Sequence, residues 1–224
     1  MKLVEKIVLI AFEIGVVSGY ESVRSAHIQV PYKLAIDLKE RGYDVVIATN
    51  PLRDGTFIPC ELSSIPVVFI PDPRKRKAQN VMHAGFSSKI DMIGILKAIF
   101  AIRKIIGNDR NTVLHFVNGS FGVGLFASIT SMVVRASKVV WTPSFPFSLK
   151  GKLFLPIFQQ IDELVCSSSY LSAHLAELGL ESKTVKHGTT RAFSLTASKK
   201  FRVLFWRDPS FENGADIALD VFRV

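Results

Sequence analysis

The order of apolar and polar positions along the chain outlines an architecture before any chemistry is considered. An apolar run from Ile7 to Phe12 leads through a Gly- and Ser-bearing loop into a segment of helical period, and a second apolar run follows from Val45 to Ala48. Between the runs, Ile28, Tyr32, Leu34, Ala35 and Leu38 share one side of a helix, and Lys33, Asp37, Lys39 and Glu40 share the other. Gly42 stands where a helix C-terminal glycine belongs. The pattern is a β-loop-α-β unit. Runs apolar enough to be buried on both faces need a crossover helix between them, so a parallel sheet is expected. Function then belongs at the strand ends, above all in the loop from Glu13 to Ser25.

The rest of the chain repeats the alternation. Prolines and the Asp54-Gly55 pair leave no length for regular structure between Pro51 and Pro66, and Val67 to Ile70 is a third strand closed by Pro71, Asp72 and Pro73. From Ser88 to Ile106 the period is helical and the composition unusually apolar, with a narrow polar stripe of Gly94, Lys97, Ala101 and Lys104 and with Arg103 to one side. Two readings stay open for this segment, a covering helix of the sheet and a basic amphipathic helix in a membrane interface, and both hold if one edge packs while the other is exposed. Val113 to Val117 is a strand, followed by the loop Asn118-Gly119-Ser120 and a buried helix from Phe121 to Val134. Lys138 to Trp141 is another strand, ending in a rigid loop, Thr142 to Phe147, that either lines an acceptor or lipid groove or packs on its neighbours. Leu164 to Ser167, a serine-capped helix from Ser168 to Leu178 closed by Gly179, and Thr184 to Lys186 complete the series.

The expected fold is therefore α/β, a doubly wound, mostly parallel, Rossmann-like sheet of about seven strands. From Gly188 the composition turns to Thr, Ser and Lys, and Phe201 to Trp206 and Gly214 to Val224 read as one strand and one helix, too little to bury a core. The expected organisation is a domain over 1–190, a linker over 191–200 and the truncated start of a second, incomplete domain over 201–224.

Charge narrows the partners. A formal net charge of +9 in 224 residues points to anionic partners, whether phosphates, phospholipid head groups or nucleic acid. The run Arg74-Lys75-Arg76-Lys77 reads either as a loop basic only through exposure or as a contact with an anionic surface. No aromatic-basic interleaving of a nucleic-acid platform accompanies it. No export signal opens the chain, so Cys60 and Cys166 are expected as reduced cytosolic thiols. The histidines His27, His83, His115, His174 and His187 never fall at metal-ligand spacing, and no Asp-x-Asp is present. Gly15 and Gly19 do not form the dinucleotide fingerprint, and Asn50 replaces the acid that would close the second strand of a nicotinamide enzyme. His27 and His115 lie among apolar neighbours, as hydrogen-bonded core histidines do.

Four segments then carry a resemblance. They are Gly19 to Thr49, with His27 in the first helical turn and LAIDLKERGYDVVIAT after it; VLHFVNG, Val113 to Gly119; VVWTPSF, Val139 to Phe145; and IDELVCSSSYLSAHLAELGL, Ile161 to Leu180, leading on to VLFWRDPSFENGADIALDVF. In this order the chain resembles the retaining family 4 glycosyltransferases of GT-B architecture, in which two Rossmann-like domains face each other across a cleft. The resemblance covers the amino-terminal domain and the first β-α unit of the carboxy-terminal one. It implies a hexosyl transfer, with retention, from a nucleotide-diphosphate sugar to a lipid-linked or glycan acceptor, with no metal or other cofactor.

By the same resemblance Gly15 or Gly19 brings backbone N–H groups to the donor diphosphate; both glycines also suit plain turns. Ser144 stands where the family often places a histidine at the donor sugar, and Arg207 matches a diphosphate-binding arginine, although Asn213-Gly214 replaces the usual lysine-glycine pair. The acceptor side is expected at His27, Asn118, Gly119 and Phe145, and anion or membrane contact at Arg74, Lys75, Arg76, Lys77, Lys97, Arg103 and Lys104. The paired-glutamate donor motif has no counterpart here, so the expected role is an acceptor-side half, inactive alone. The rival role is a non-catalytic, membrane-docking and acceptor-binding subunit of a two-chain transferase. Expected partners are a nucleotide sugar, the acceptor, an anionic membrane surface, and a separate donor-domain chain or a second copy. The expected location is the cytoplasm, peripheral on the cytoplasmic face of the membrane.

Overall fold

The computed structural model describes residues 6–12, 14–17, 26–52, 54–73, 91–107, 111–117, 119, 121–144 and 154–185. The chain divides into two units, 1–187 and 188–224, and every described residue lies in the first. The expected linker and second-domain segments, with Arg207, therefore lie outside the described residues.

Strands β1 (Lys6–Ile10), β3 (Asp44–Thr49), β5 (Val67–Phe69), β6 (Thr112–Val117), β7 (Lys138–Thr142), β8 (Glu163–Cys166) and β9 (Lys183–Thr184) form one sheet in the order β5-β3-β1-β6-β7-β8-β9. Every pairing in it is parallel, from Ile7 beside Val45 and Val113 to Val165 beside Lys183. This is the doubly wound arrangement the apolar runs predict: the chain starts in the middle, winds outward through β3 and β5, then returns to lay β6 on the other side of β1. The strand starts fall within one residue of those expected from sequence.

Alternate residues of each strand feed two cores, as the period of two requires. Val8, Ile10, Leu114, Phe116, Val139 and Trp141 face helices α2 (Met92–Ile106), α3 (Phe121–Val133) and α5 (Ser169–Glu177). Ile7, Leu9, Val45 and Ile47 face α1 (Ala26–Glu40), whose Tyr32 and Ala35 are buried against them. The helix ends follow their sequence signals. Gly42 and Gly179 adopt φ of 89° and 82° just past α1 and α5, and the Ser168 hydroxyl accepts the Leu171 N–H at 3.2 Å to cap α5.

Three expectations need correction. The Pro51–Pro66 connection is not wholly irregular: Thr56–Phe57 (β4) pairs antiparallel with Val16–Val17 (β2), and Cys60–Leu62 makes one 3-10 turn with Leu62 buried. A stretch too punctuated for a long element still holds short ones wherever two backbones meet. Second, the polar stripe assigned to α2 is misplaced: Gly94 is buried and Ala101 half-buried. Gly94 is small because a Cβ there would stand 2.8 Å from the Asp72 carbonyl oxygen, a packing reason that periodicity cannot separate from polarity. Third, a short helix, α4 (Leu155–Phe158), goes unmarked in the sequence reading; its Phe158 is fully buried.

Candidate functional site

In an open parallel sheet, ligands gather outside the carboxyl ends of the strands where the winding order reverses. Here the reversal lies between β1 and β6. The segments that reach this edge are residues 11–17 after β1, Asn50 after β3, Gly119 after β6 and residues 143–144 after β7.

The loop after β1 is held firmly. Ala11 N–H donates to the Ala48 carbonyl at 3.0 Å, and the buried Tyr32 hydroxyl donates to the Ile14 carbonyl. Ile14 is itself fully buried. Gly15 follows, and a Cβ on it would stand 2.8 Å from Thr56 Oγ1 and 3.1 Å from Leu52 Cδ2. Its missing side chain thus lets the β2–β4 ribbon close against the loop, a role within the chain that sequence reasoning divided between a turn and a phosphate contact. Gly19 lies outside the described residues.

The loops after β6 and β7 are stapled together. Gly119 N–H donates to Ser144 Oγ at 3.2 Å, and Ser144 N–H donates to the Gly119 carbonyl at 3.0 Å. Gly119 has φ of 100°, a left-handed conformation open to glycine, and a Cβ there would lie 2.5 Å from Val123. So two residues singled out for different ligands, Ser144 for the donor and Gly119 for the acceptor, are brought together. Asn118 and Phe145, their neighbours, lie outside the described residues. His27 is the second residue of α1, in the first turn as expected, with only its backbone described.

His115 sits two residues inside this edge, on β6. Its Nε2 is 2.8 Å from Thr142 Oγ1 on the neighbouring strand, and burial lowers its pKa from the ordinary value to about 4, against a weaker raising influence of Glu163. The imidazole is neutral at neutral pH and hydrogen-bonded, as a core histidine is. Two strands away, Thr49 is fully buried at the end of β3, with no hydrogen-bond partner for its hydroxyl among the described residues. Sequence reasoning singled out His115 but not Thr49; a Thr closing an apolar strand is the signal available.

Basic residues lie elsewhere. Lys97, Arg103 and Lys104 are all exposed on α2, and Arg74 to Lys77 lie outside the described residues. At the opposite, amino-terminal edge of the sheet, Glu163 pairs with Lys138 and, at 3.0 Å, with Lys183. Hydrogen bonds from those two lysines hold its carboxyl below the usual range. An open cleft of about 460 Å³ lies there, lined by Asp162, Glu163, Glu181 and Lys183 among others. It is at the wrong end of the sheet for the reversal point; Glu163 is already paired with the two lysines, and Asp162 accepts the Val139 N–H at 2.6 Å. Among the described residues no three His, Cys, Asp or Glu side chains are placed to hold a metal ion. Cys60 is exposed and Cys166 buried, and both are free. No described helix is long and apolar enough to cross a membrane.

The sheet order and the joined loops at its reversal point define a doubly wound, Rossmann-like α/β unit. No protein-family model matches the chain, and no curated protein matches it. Among solved structures it is similar to MurG of Acinetobacter baumannii, at 14% identity and a TM-score of 0.48, over 84% of this chain and 47% of that one. It is also similar to a sucrose-phosphate synthase structure from Thermosynechococcus elongatus, at 14% identity and a TM-score of 0.49, over 83% of this chain and 91% of that one. The chain spans about half the length of the MurG structure.

Proposed function

We propose that this chain is the acceptor-side portion of a GT-B glycosyltransferase of the family 4 type, moving a hexosyl group with retention from a nucleotide-diphosphate sugar to a lipid-linked or glycan acceptor. The observation that supports it most is the convergence of family-like segments on one edge of one sheet. VLHFVNG and VVWTPSF end in Gly119 and Ser144, which hydrogen-bond each other beside the β1–β6 reversal. In this reading Gly119 acts by shape, since both its backbone polar groups are spent on Ser144. In the same reading Asn118, Phe145 and His27 serve the acceptor, as the family resemblance implies.

The donor is held by backbone N–H groups of the β1 loop at Gly15 and Gly19 and by Arg207, and is completed by a donor-binding domain, in the same or a separate chain. Rate enhancement comes from positioning the acceptor hydroxyl and from dipoles and positive charge on the departing diphosphate. His115, two residues inside this edge, is held neutral by burial. The acceptor-side half alone is expected to be inactive. Its location is peripheral, on the cytoplasmic face of a membrane that carries the acceptor.

The test is ligand-observed NMR on the full chain with short oligosaccharides, lipid-phosphate-linked sugars and a panel of nucleoside diphosphates. Contacts to glycan or lipid-linked sugar that disappear in Ser144→Trp are expected, with nucleotide contacts weak. Absence of any sugar contact, or sugar contacts unchanged by Ser144→Trp, overturns the reading.

A further inference from the structure

Helix α2 turns four large apolar side chains to solvent: Met92, Ile93, Leu96 and Phe100 are 56%, 65%, 53% and 63% exposed. The same helix buries Ile95, Ala98 and Ile102 completely on the sheet, and the close approach of Gly94 to the Asp72 carbonyl fixes its rotation. It cannot turn to hide the outer residues without unpacking the inner ones. At roughly 100° per residue, the outer apolar residues and Lys97, Arg103 and Lys104 fall in one continuous arc about 140° wide. Lys97 and Lys104 run along one border, and Arg103 continues the Met92–Leu96 line toward the helix end.

We propose that this outer face of α2 docks on an anionic phospholipid bilayer, lying in the plane of the head groups. Three observations select that occupant. No acid lies between Met92 and Ile106, so the face has nothing to offer a basic partner. Its cations are long side chains that reach head-group phosphates while their stems lie along apolar surface, as helices at an interface do. Finally, the helix starts against the segment that leads into the most basic stretch of the sequence: Asp91 N–H donates to the Pro73 carbonyl at 2.9 Å, and Pro73 is the residue before Arg74-Lys75-Arg76-Lys77. An apolar protein groove would have to supply both a floor for Phe100 and acids for three cations; a bilayer with anionic lipid supplies both without further fitting.

The meaning of this surface for sugar transfer rests on the acceptor-side reading, but its test does not. The full chain is floated with vesicles of phosphatidylcholine alone and of phosphatidylcholine with phosphatidylglycerol, without donor or acceptor. Wild type is expected to bind the mixed vesicles about tenfold more tightly, and to lose that preference in high salt. Leu96→Ser with Phe100→Ser is expected to lower vesicle partition by about tenfold or more, and Lys97→Glu with Lys104→Glu to abolish the preference for anionic lipid. Both pairs are exposed, so circular dichroism and gel filtration should match wild type. No flotation of the wild type, or flotation unchanged by the Leu96 and Phe100 substitutions, overturns the proposal. So does self-association that those substitutions break in the absence of vesicle binding, because the face would then belong to a second copy. Vesicle binding without any sugar contact would remove the transferase reading and leave this one standing.

Discussion

Helices α2 and α3 cover the same face of the sheet and both read as apolar, yet they solve opposite problems. α3 is the more apolar, and it hides most of what it has: Val123, Phe126, Ala127, Ser128 and Thr130 are all buried, and only Met132 and Val133 in its last turn stand exposed. Its two buried hydroxyls are satisfied within the helix, Ser128 donating to the Gly124 carbonyl and Thr130 to the Phe126 carbonyl, each at 2.7 Å. α2 packs one side equally well and leaves Ile93 and Phe100 nearly two-thirds exposed. Hydrophobicity alone therefore says nothing about which side faces the core. What separates the two helices is where the charges sit: α3 has none, and α2 carries three cations, all on its outer arc.

The comparison is most easily broken at Phe126. Its ring is fully buried and stands edge-on to Phe116, with centroids 5.2 Å apart. Phe126→Ala is expected to lower unfolding free energy by about 3–5 kcal/mol, read from the urea midpoint. A loss below about 1 kcal/mol would mean that α3 does not close the core as described.

The far face of strand β6 gives a smaller effect with a distinctive pH signature. His115 has a folded-state pKa of about 4, below the ordinary 6.5, so between those values the unfolded chain binds more protons than the folded one. Stability contributed by His115 is full above pH 6.5, falls as pH drops toward 4, and is flat below. The loss across that window is at most about 3 kcal/mol. His115→Gln, which keeps a partner for Thr142, should flatten this part of the stability–pH curve. An unchanged slope would assign the acid sensitivity to other groups.

How much of this was legible beforehand depends on the kind of cause. Seven strand positions and most helix ends follow from apolar runs and from Gly42, Gly179 and Ser168, because these signals act within a few residues. The staple between Gly119 and Ser144 was not legible: the two residues are far apart in sequence and meet only because β6 and β7 are neighbours in register. The two readings of Gly15 could not be separated either, since its Thr56 contact depends on a ribbon of two-residue strands. The facing of α2 was half legible. Its period was plain, but Gly94 counted as polar when its smallness serves close packing, and that shifted the outer arc onto the wrong residues.

Gly124 sharpens the same point on α3. A Cβ added there would lie 2.3 Å from the Trp141 ring and 2.6 Å from Phe158, and both rings are fully buried and packed together at 5.7 Å. Alanine improves helix propensity by about 1 kcal/mol over glycine, but overpacking costs roughly 1–3 kcal/mol. With neither ring free to withdraw, the second effect prevails. Gly124→Ala is expected to destabilise by about 1–2 kcal/mol, measured by thermal unfolding; stabilisation would show that the aromatic cluster has slack.

The smallest expected effect is the most discriminating, because it divides α2 against itself. Phe100 and Ile102 are two residues apart, one 63% exposed and one fully buried. Ile102→Ala opens the core and should cost about 2–4 kcal/mol, whereas Phe100→Ala removes a larger side chain from solvent contact and should change stability by less than about 0.5 kcal/mol. If Phe100→Ala instead costs as much as Ile102→Ala, its ring is covered in solution, and the outer arc of α2 is an internal or self-associating surface. If stability is unchanged while vesicle binding weakens, the ring serves a partner that the folded chain does not itself contain. Stability then tracks the inner arc and binding the outer one, so the two measurements on one helix separate what holds the fold from what the fold presents.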